Sequence, residues 1–202
     1  MLFTSFIFLF IFFPIVFCCY CITKKQWQNF FLLSASLLFY AWGESAHVVI
    51  LIFSIIINYA IGIIVEKLHS SDSLSARFAL VLGILANIFC LGYYKYVTFI
   101  VRSAIDALGI FGITCSPPST AIPLPIGISF FTFKGLAYLI DIYRKQFSAQ
   151  KNIIDFGMYL AFFPQLLAGP IARYQDFKKE ISNRSVTLNN VALGLRLFPG
   201  TQ

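Results

Sequence analysis

"FFPQLLAGPIARY", Phe162 to Tyr174, begins as an apolar run of the kind that crosses a bilayer. It then places Pro164, Gln165, Gly169, Pro170 and Arg173 in or just after that run. Proline removes a backbone donor and kinks a helix, and the Gly169–Pro170 pair prevents one from continuing. Irregular backbone at membrane depth survives only where protein buries it or where it lines a water-filled cavity. The stretch therefore predicts a re-entrant segment, Ile153 to Ala168, walling an internal cavity or tunnel, with Gln165 bonded to freed backbone groups or to a ligand. A proline-kinked helix packed among neighbours, with Arg173 anchoring to headgroups, is the alternative that these residues leave open.

The rest of the chain sets this stretch in a membrane. Of 202 residues, 59% are hydrophobic and only 11% charged, against about a quarter charged in soluble domains. A bilayer core of about 30 Å needs roughly 20 apolar residues per crossing helix. Leu2–Ile22, Val48–Val65, Phe78–Tyr94 and Ile122–Ile140 read as spans, and the shorter Phe30–Trp42 as a tilted or half-inserted helix ending in the turn-like "WGES". Residues 101–121 read as an interfacial helix or loop, and "HSSDSLS" as a polar connection. The expectation is an all-α, polytopic integral membrane protein: one membrane domain over 1–202, with about five transmembrane helices plus the re-entrant segment. A cleaved signal peptide fits Leu2–Ile22 poorly, since no basic residue precedes it and no small-x-small site follows.

Basic residues orient the chain. Lys24 and Lys25, Lys67 and Arg77, and then Arg144, Lys145 and Lys151 fall in alternate connections, which the positive-inside tendency places in the cytoplasm. Were Ile153–Ala168 to cross, Arg173, Lys178, Lys179 and Arg184 would emerge outside; a re-entrant path returns them to the cytoplasm. Helix-end placement and contact with anionic lipid account for the net charge of +7 without a nucleic-acid partner. The expected location is the bacterial cytoplasmic membrane.

Lys134 lies inside a predicted span, where an amine is costly unless it faces a polar interior or snorkels, so a bundle-interior position is expected. Asp141, Arg144 and Arg173 fall where helices meet the cytoplasmic mouth. The five cysteines are an odd number without zinc spacing and read as apolar fillers, so no metal site is expected. No glycine-rich phosphate loop or Ser/His/Asp arrangement occurs.

Taken together, "LPIGISFFTFKGLAYLIDIYR" (Leu124–Arg144) and "YLAFFPQLLAGPIARYQDF" (Tyr159–Phe177) resemble the membrane-bound O-acyltransferase family, in its alginate O-acetyltransferase-like branch. "LLSASLLFYAWGE" (Leu32–Glu44), "INYAIG" (Ile57–Gly62) and "LGYYKYVTF" (Leu91–Phe99) follow the same order. The resemblance implies helices ringed around a thin centre where a tunnel meets a funnel. It also implies O-acetyl transfer from a cytoplasmic acyl thioester, acetyl-CoA or an acyl carrier, to a polysaccharide hydroxyl on the far side, with other polysaccharide-modification proteins as partners. In this reading Lys134, Pro164, Gln165, Gly169 and Pro170 shape the cavity, while Asp141, Arg144 and Arg173 fix helix ends.

The family's catalytic base is a histidine in the later half of a longer chain, so it is expected downstream of Gln202. His47 and His69 do not match its position. Acyl transfer needs such a base to take the acceptor hydroxyl's proton, a task suited to imidazole. The chain thus reads as the amino-terminal part of an acyltransferase, inactive by itself and apparently truncated. The alternatives are a non-catalytic scaffold of a polysaccharide modification or export complex and, with less support, a small transporter.

Overall fold

The computed structural model describes residues 7–71, 73–110, 123–166 and 173–182. Every element among them is helical. A short π-helical entry, Phe8–Phe12, runs into α1 (Phe13–Ile22), and a single 3-10 turn leads to α2 (Gln28–Gly43). The chain continues through α3 (Val48–Ser71), α4 (Ser73–Ile110), α5 (Ile128–Tyr143), α6 (Ile153–Ala161), α7 (Phe163–Leu166) and α8 (Tyr174–Ser182).

Among the described residues two helices are long and apolar enough to cross a membrane, Val48–His69 in α3 and Ser73–Val97 in α4. Large apolar side chains such as Phe53, Phe78, Leu82 and Phe89 lie exposed on them. In water that surface would be unfavourable by roughly 25 cal/mol per Å²; in lipid it carries no such cost.

Several boundaries differ from the sequence expectation. The polar "HSSDSLS" stretch is not an extended loop, because α3 continues to Ser71 and α4 starts at Ser73. Serine and histidine are tolerated at helix ends, and polarity alone does not terminate a helix. Residues 101–110 continue α4 rather than forming a separate element, giving a helix of 38 residues, about 57 Å at 1.5 Å per residue. Conversely, the helix expected from Ile122 begins only at Ile128. Gly127 adopts a left-handed conformation (φ 79°) that closes the "PLPIG" turn and starts α5. The predicted short helix Phe30–Trp42 is α2, ended by the Glu44–His47 turn.

Helices α3, α4 and α5 form the centre. Asn58 of α3 and Asn87 of α4 exchange amide hydrogen bonds of 3.2 and 2.8 Å, and each also donates to its own helix, at Ser54 and Gly83. Gly135 of α5 lies over this pair, so close that an added Cβ would fall 2.8 Å from the Asn58 amide. Polar side chains hold helices together in a membrane in this way, and a small residue allows the third backbone to approach. Against this centre, α5, α6 and α8 pack an aromatic core of Tyr138, Phe147, Phe156, Tyr159, Tyr174 and Phe177.

Candidate functional site

Around Lys134 the break in the α6–α7 segment becomes a polar site. Helix α6 is capped by Asn152, whose side chain accepts from the Ile154 amide at 3.0 Å. It ends at Phe162, whose ψ of 111° leaves helical geometry. In an unbroken helix the Phe163 amide would donate to the Tyr159 carbonyl. Here it turns instead to the Ser36 hydroxyl of α2, at 3.3 Å, while that hydroxyl donates to the Leu32 carbonyl at 2.7 Å.

The Tyr159 carbonyl is thus released, and the Lys134 ammonium takes it at 3.3 Å. The same ammonium donates to Gln165 Oε1 at 3.1 Å and lies 5.4 Å from the centre of the Tyr159 ring. Lys134 is fully buried. A buried ammonium needs hydrogen-bond partners, and the backbone break, the glutamine after the proline and an aromatic face supply them. Lys134 is buried among the helices, while Gln165, expected to bond freed backbone groups or a ligand, accepts instead from Lys134, and it is the lysine that takes the freed carbonyl.

Beyond this knot, α7 approaches the start of α5. A Cβ on Gly127 would lie 2.7 Å from the Leu166 carbonyl oxygen. The path along α5 can be followed by its contacts. Phe156 meets Tyr138 with ring centroids 4.5 Å apart, Tyr159 reaches Lys134, and Leu166 reaches Gly127. At Tyr174 the chain is again beside Tyr138, ring centroids 5.2 Å apart. Gly127 and Tyr138 are separated by roughly 16 Å of helix at 1.5 Å per residue, so the chain goes out along α5 and comes back.

The other predicted residues are placed differently. Asp141 is almost buried, and neither Arg144 nor Arg173, both exposed, forms an ion pair with it among the described residues. Pro164 lies exposed in α7, and Gly169 and Pro170 fall outside the described residues. His47 is bonded through Nδ1 to the Glu44 carboxylate in the turn before α3, and its ring meets Tyr94 edge-on. His69 lies in the last turn of α3 rather than in a loop, its ring against Tyr143 at 5.1 Å and its Nδ1 buried without a hydrogen-bond partner among the described residues. Sequence reasoning missed Ser36 and the Tyr159 carbonyl. A serine in an apolar helix was the available signal for the first, and nothing in the sequence marks a carbonyl.

Comparison with known proteins places this geometry. Over 198 residues the chain is 36% identical to the probable alginate O-acetylase AlgI of Pseudomonas aeruginosa, an alignment covering 98% of this chain and 38% of that protein. The match to the corresponding protein of Pseudomonas syringae pv. tomato is 37% over 200 residues, with the same coverage. The chain is homologous to the amino-terminal part of alginate O-acetylases. A peptidoglycan O-acetyltransferase of Helicobacter pylori is 29% identical over 238 residues, 42% of its length. The chain therefore spans about two-fifths of these relatives. No family model and no solved structure matches. The relatives are O-acetyltransferases by name, in agreement with the resemblance carried by Leu124–Arg144 and Tyr159–Phe177.

Proposed function

We propose that this chain contributes the amino-terminal helices of a membrane-bound O-acetyltransferase, and that Ile153–Ala168 is a re-entrant segment walling the passage through which donor and acceptor meet. The observation that carries the reading is the out-and-back path along α5, pinned at its far reach by Lys134, Gln165 and Gly127. It is supported by homology to alginate and peptidoglycan O-acetyltransferases. The exposed basic residues Lys24, Lys25, Lys67, Arg77, Arg144, Lys145, Lys151, Arg173, Lys178 and Lys179 support a cytoplasmic assignment of one end of the bundle. On this reading the protein is a multi-pass component of the bacterial cytoplasmic membrane, with several further helices half-inserted or tilted beside α3 and α4.

The reaction is attack of a polysaccharide hydroxyl on the carbonyl of an acyl thioester. The new C–O bond forms, the C–S bond breaks, the hydroxyl proton passes to a base and the thiol leaves. The Lys134 knot holds the wall and takes no proton in this scheme. The base comes from the part of the acyltransferase that corresponds to the remaining length of the relatives, and neither His47 nor His69 is assigned to it.

Full-length enzyme carrying Lys134→Met, Gln165→Ala or Arg173→Ala tests the reading through the acetyl content of exported polysaccharide, normalised to the enzyme level in the membrane. Strong loss at normal levels for the first two supports a tunnel-wall role. Wild-type acetylation in all three variants overturns it.

A further inference from the structure

The Lys134 ammonium has hydrogen-bond donors and no lone pair. It serves the Tyr159 carbonyl and Gln165 Oε1, and the Tyr159 ring takes part of its charge on the aromatic face. The lysine is fully buried, so a substrate cannot reach it.

The same contact fixes which way round the Gln165 amide lies. The oxygen and nitrogen of an amide have the same shape, and only their hydrogen-bond partners tell them apart. An ammonium can only donate, so the end that meets it is Oε1, and Nε2 with its two N–H groups forms the other end. Gln165 is half-buried. Among the described residues its Nε2 has no hydrogen-bond partner, and unlike His69 Nδ1 it is not sealed from the surface.

Ten residues separate Lys134 from Arg144. That is about 15 Å of helix at 1.5 Å per residue, half of a hydrocarbon core of about 30 Å. With Arg144 at the cytoplasmic boundary, the unengaged end of the amide stands near the middle of the membrane. At that depth a thioester from one side and a sugar from the other come together.

We propose that Gln165 binds substrate in the acetyl transfer, its Nε2 donating to an oxygen of the reacting groups, either the acyl carbonyl of the thioester or a hydroxyl of the sugar. The proposal rests on the passage reading above and names the atom that touches substrate. Lys134 holds the amide by its oxygen and makes no contact with substrate.

Gln165→Glu separates the two ends of the side chain: the carboxylate keeps an oxygen for Lys134 and loses the N–H donors, whereas Gln165→Ala loses both. In the full-length enzyme Gln165→Glu should keep or raise the unfolding midpoint that Gln165→Ala lowers. Both should nevertheless cut the acetyl content of exported polysaccharide about tenfold at equal membrane level, the weight of one hydrogen bond. Lys134→Met/Gln165→Met, compared with Lys134→Met alone, reads the same point without a buried charge, and a further tenfold fall is expected. Wild-type acetylation by Gln165→Glu, or equality of that double variant with Lys134→Met, overturns the proposal and leaves the passage reading standing. The passage reading falls as well only if Gln165→Ala, Lys134→Met and Arg173→Ala all acetylate normally.

Membrane vesicles holding the Gln165→Ala enzyme, given acetyl-coenzyme A and unacetylated alginate oligosaccharide, distinguish the two oxygens. A raised KM for the thioester assigns the carbonyl, and a raised KM for the oligosaccharide assigns the sugar. A lower kcat with both KM values unchanged assigns the carbonyl oxygen as it gains charge in the transition state. Kinetics equal to those of the wild type overturn the contact.

Discussion

The ammonium of Lys134 lies 3.1 Å from Oε1 of Gln165, a residue 31 positions later in the chain; the lysine is fully buried and the glutamine half-buried. Each accounts for the other: the lysine requires an acceptor, and the glutamine stands immediately after the proline that breaks the helix.

From this pairing it follows that Gln165→Leu strands a buried ammonium on fewer acceptors. The expected cost is about 1–3 kcal/mol, read as a lower unfolding midpoint in detergent or nanodiscs. Lys134→Met removes the charge together with its desolvation cost and should be much closer to neutral in stability. Equal destabilisation by the two would show that packing, rather than an unpaired charge, dominates.

Ser36→Ala deletes the acceptor of the Phe163 amide. The amide then has the Tyr159 carbonyl as its nearest helical alternative, in competition with Lys134. Loss of about 1 kcal/mol is expected, together with faster hydrogen exchange at the Phe163 amide. Unchanged exchange there would mean that Ser36 does not secure the break.

At Gly127 a side chain is opposed twice, by the positive φ and by the Leu166 carbonyl 2.7 Å from its Cβ position. Gly127→Ala should destabilise by at least about 1–2 kcal/mol, since a backbone oxygen yields less readily than a flexible side chain. Gly92→Ala is the control. It lies in α4 with nothing within 4 Å of the Cβ position, and should stabilise by roughly 0.5–1 kcal/mol. The sign difference in thermal midpoint is the measurement.

The amide pair is suited to a double-mutant cycle. Asn58→Leu and Asn87→Leu each leave one amide without its partner across the helices, and the coupling should be about 0.6–1.7 kcal/mol, the range of polar contacts in membrane bundles. Strict additivity of the two would mean that each asparagine acts only through its bond to its own helix.

Much of the site was legible before any coordinates. Pro164 after a run of phenylalanines marks a break, and a lysine amid apolar residues marks an interior polar point; both are local chemical facts. The errors lay where polarity was read as a stop. "HSSDSLS" carries a charge and hydroxyls, yet its serines Ser71 and Ser73 lie in α3 and α4, because short polar runs at a helix end can remain helical; residues 101–110, expected as a helix or loop outside a span, are helical beyond the stretch that ends at Val97. Helix α5 started late for the opposite reason, because proline and a left-handed glycine stop apolar residues from joining a helix.

Composition alone points to lipid as the medium, because so apolar a surface is unfavourable in water whatever the arrangement of helices. The sequence also marked an irregularity near Phe162, since Pro164 has no amide hydrogen to donate to the preceding turn, but left open whether it would be a kink or a break. Which carbonyl the break would release, and what would claim it, was decided only in three dimensions. Ser36 takes the Phe163 amide across 127 residues of chain, and the Tyr159 carbonyl accepts from the ammonium of Lys134 instead.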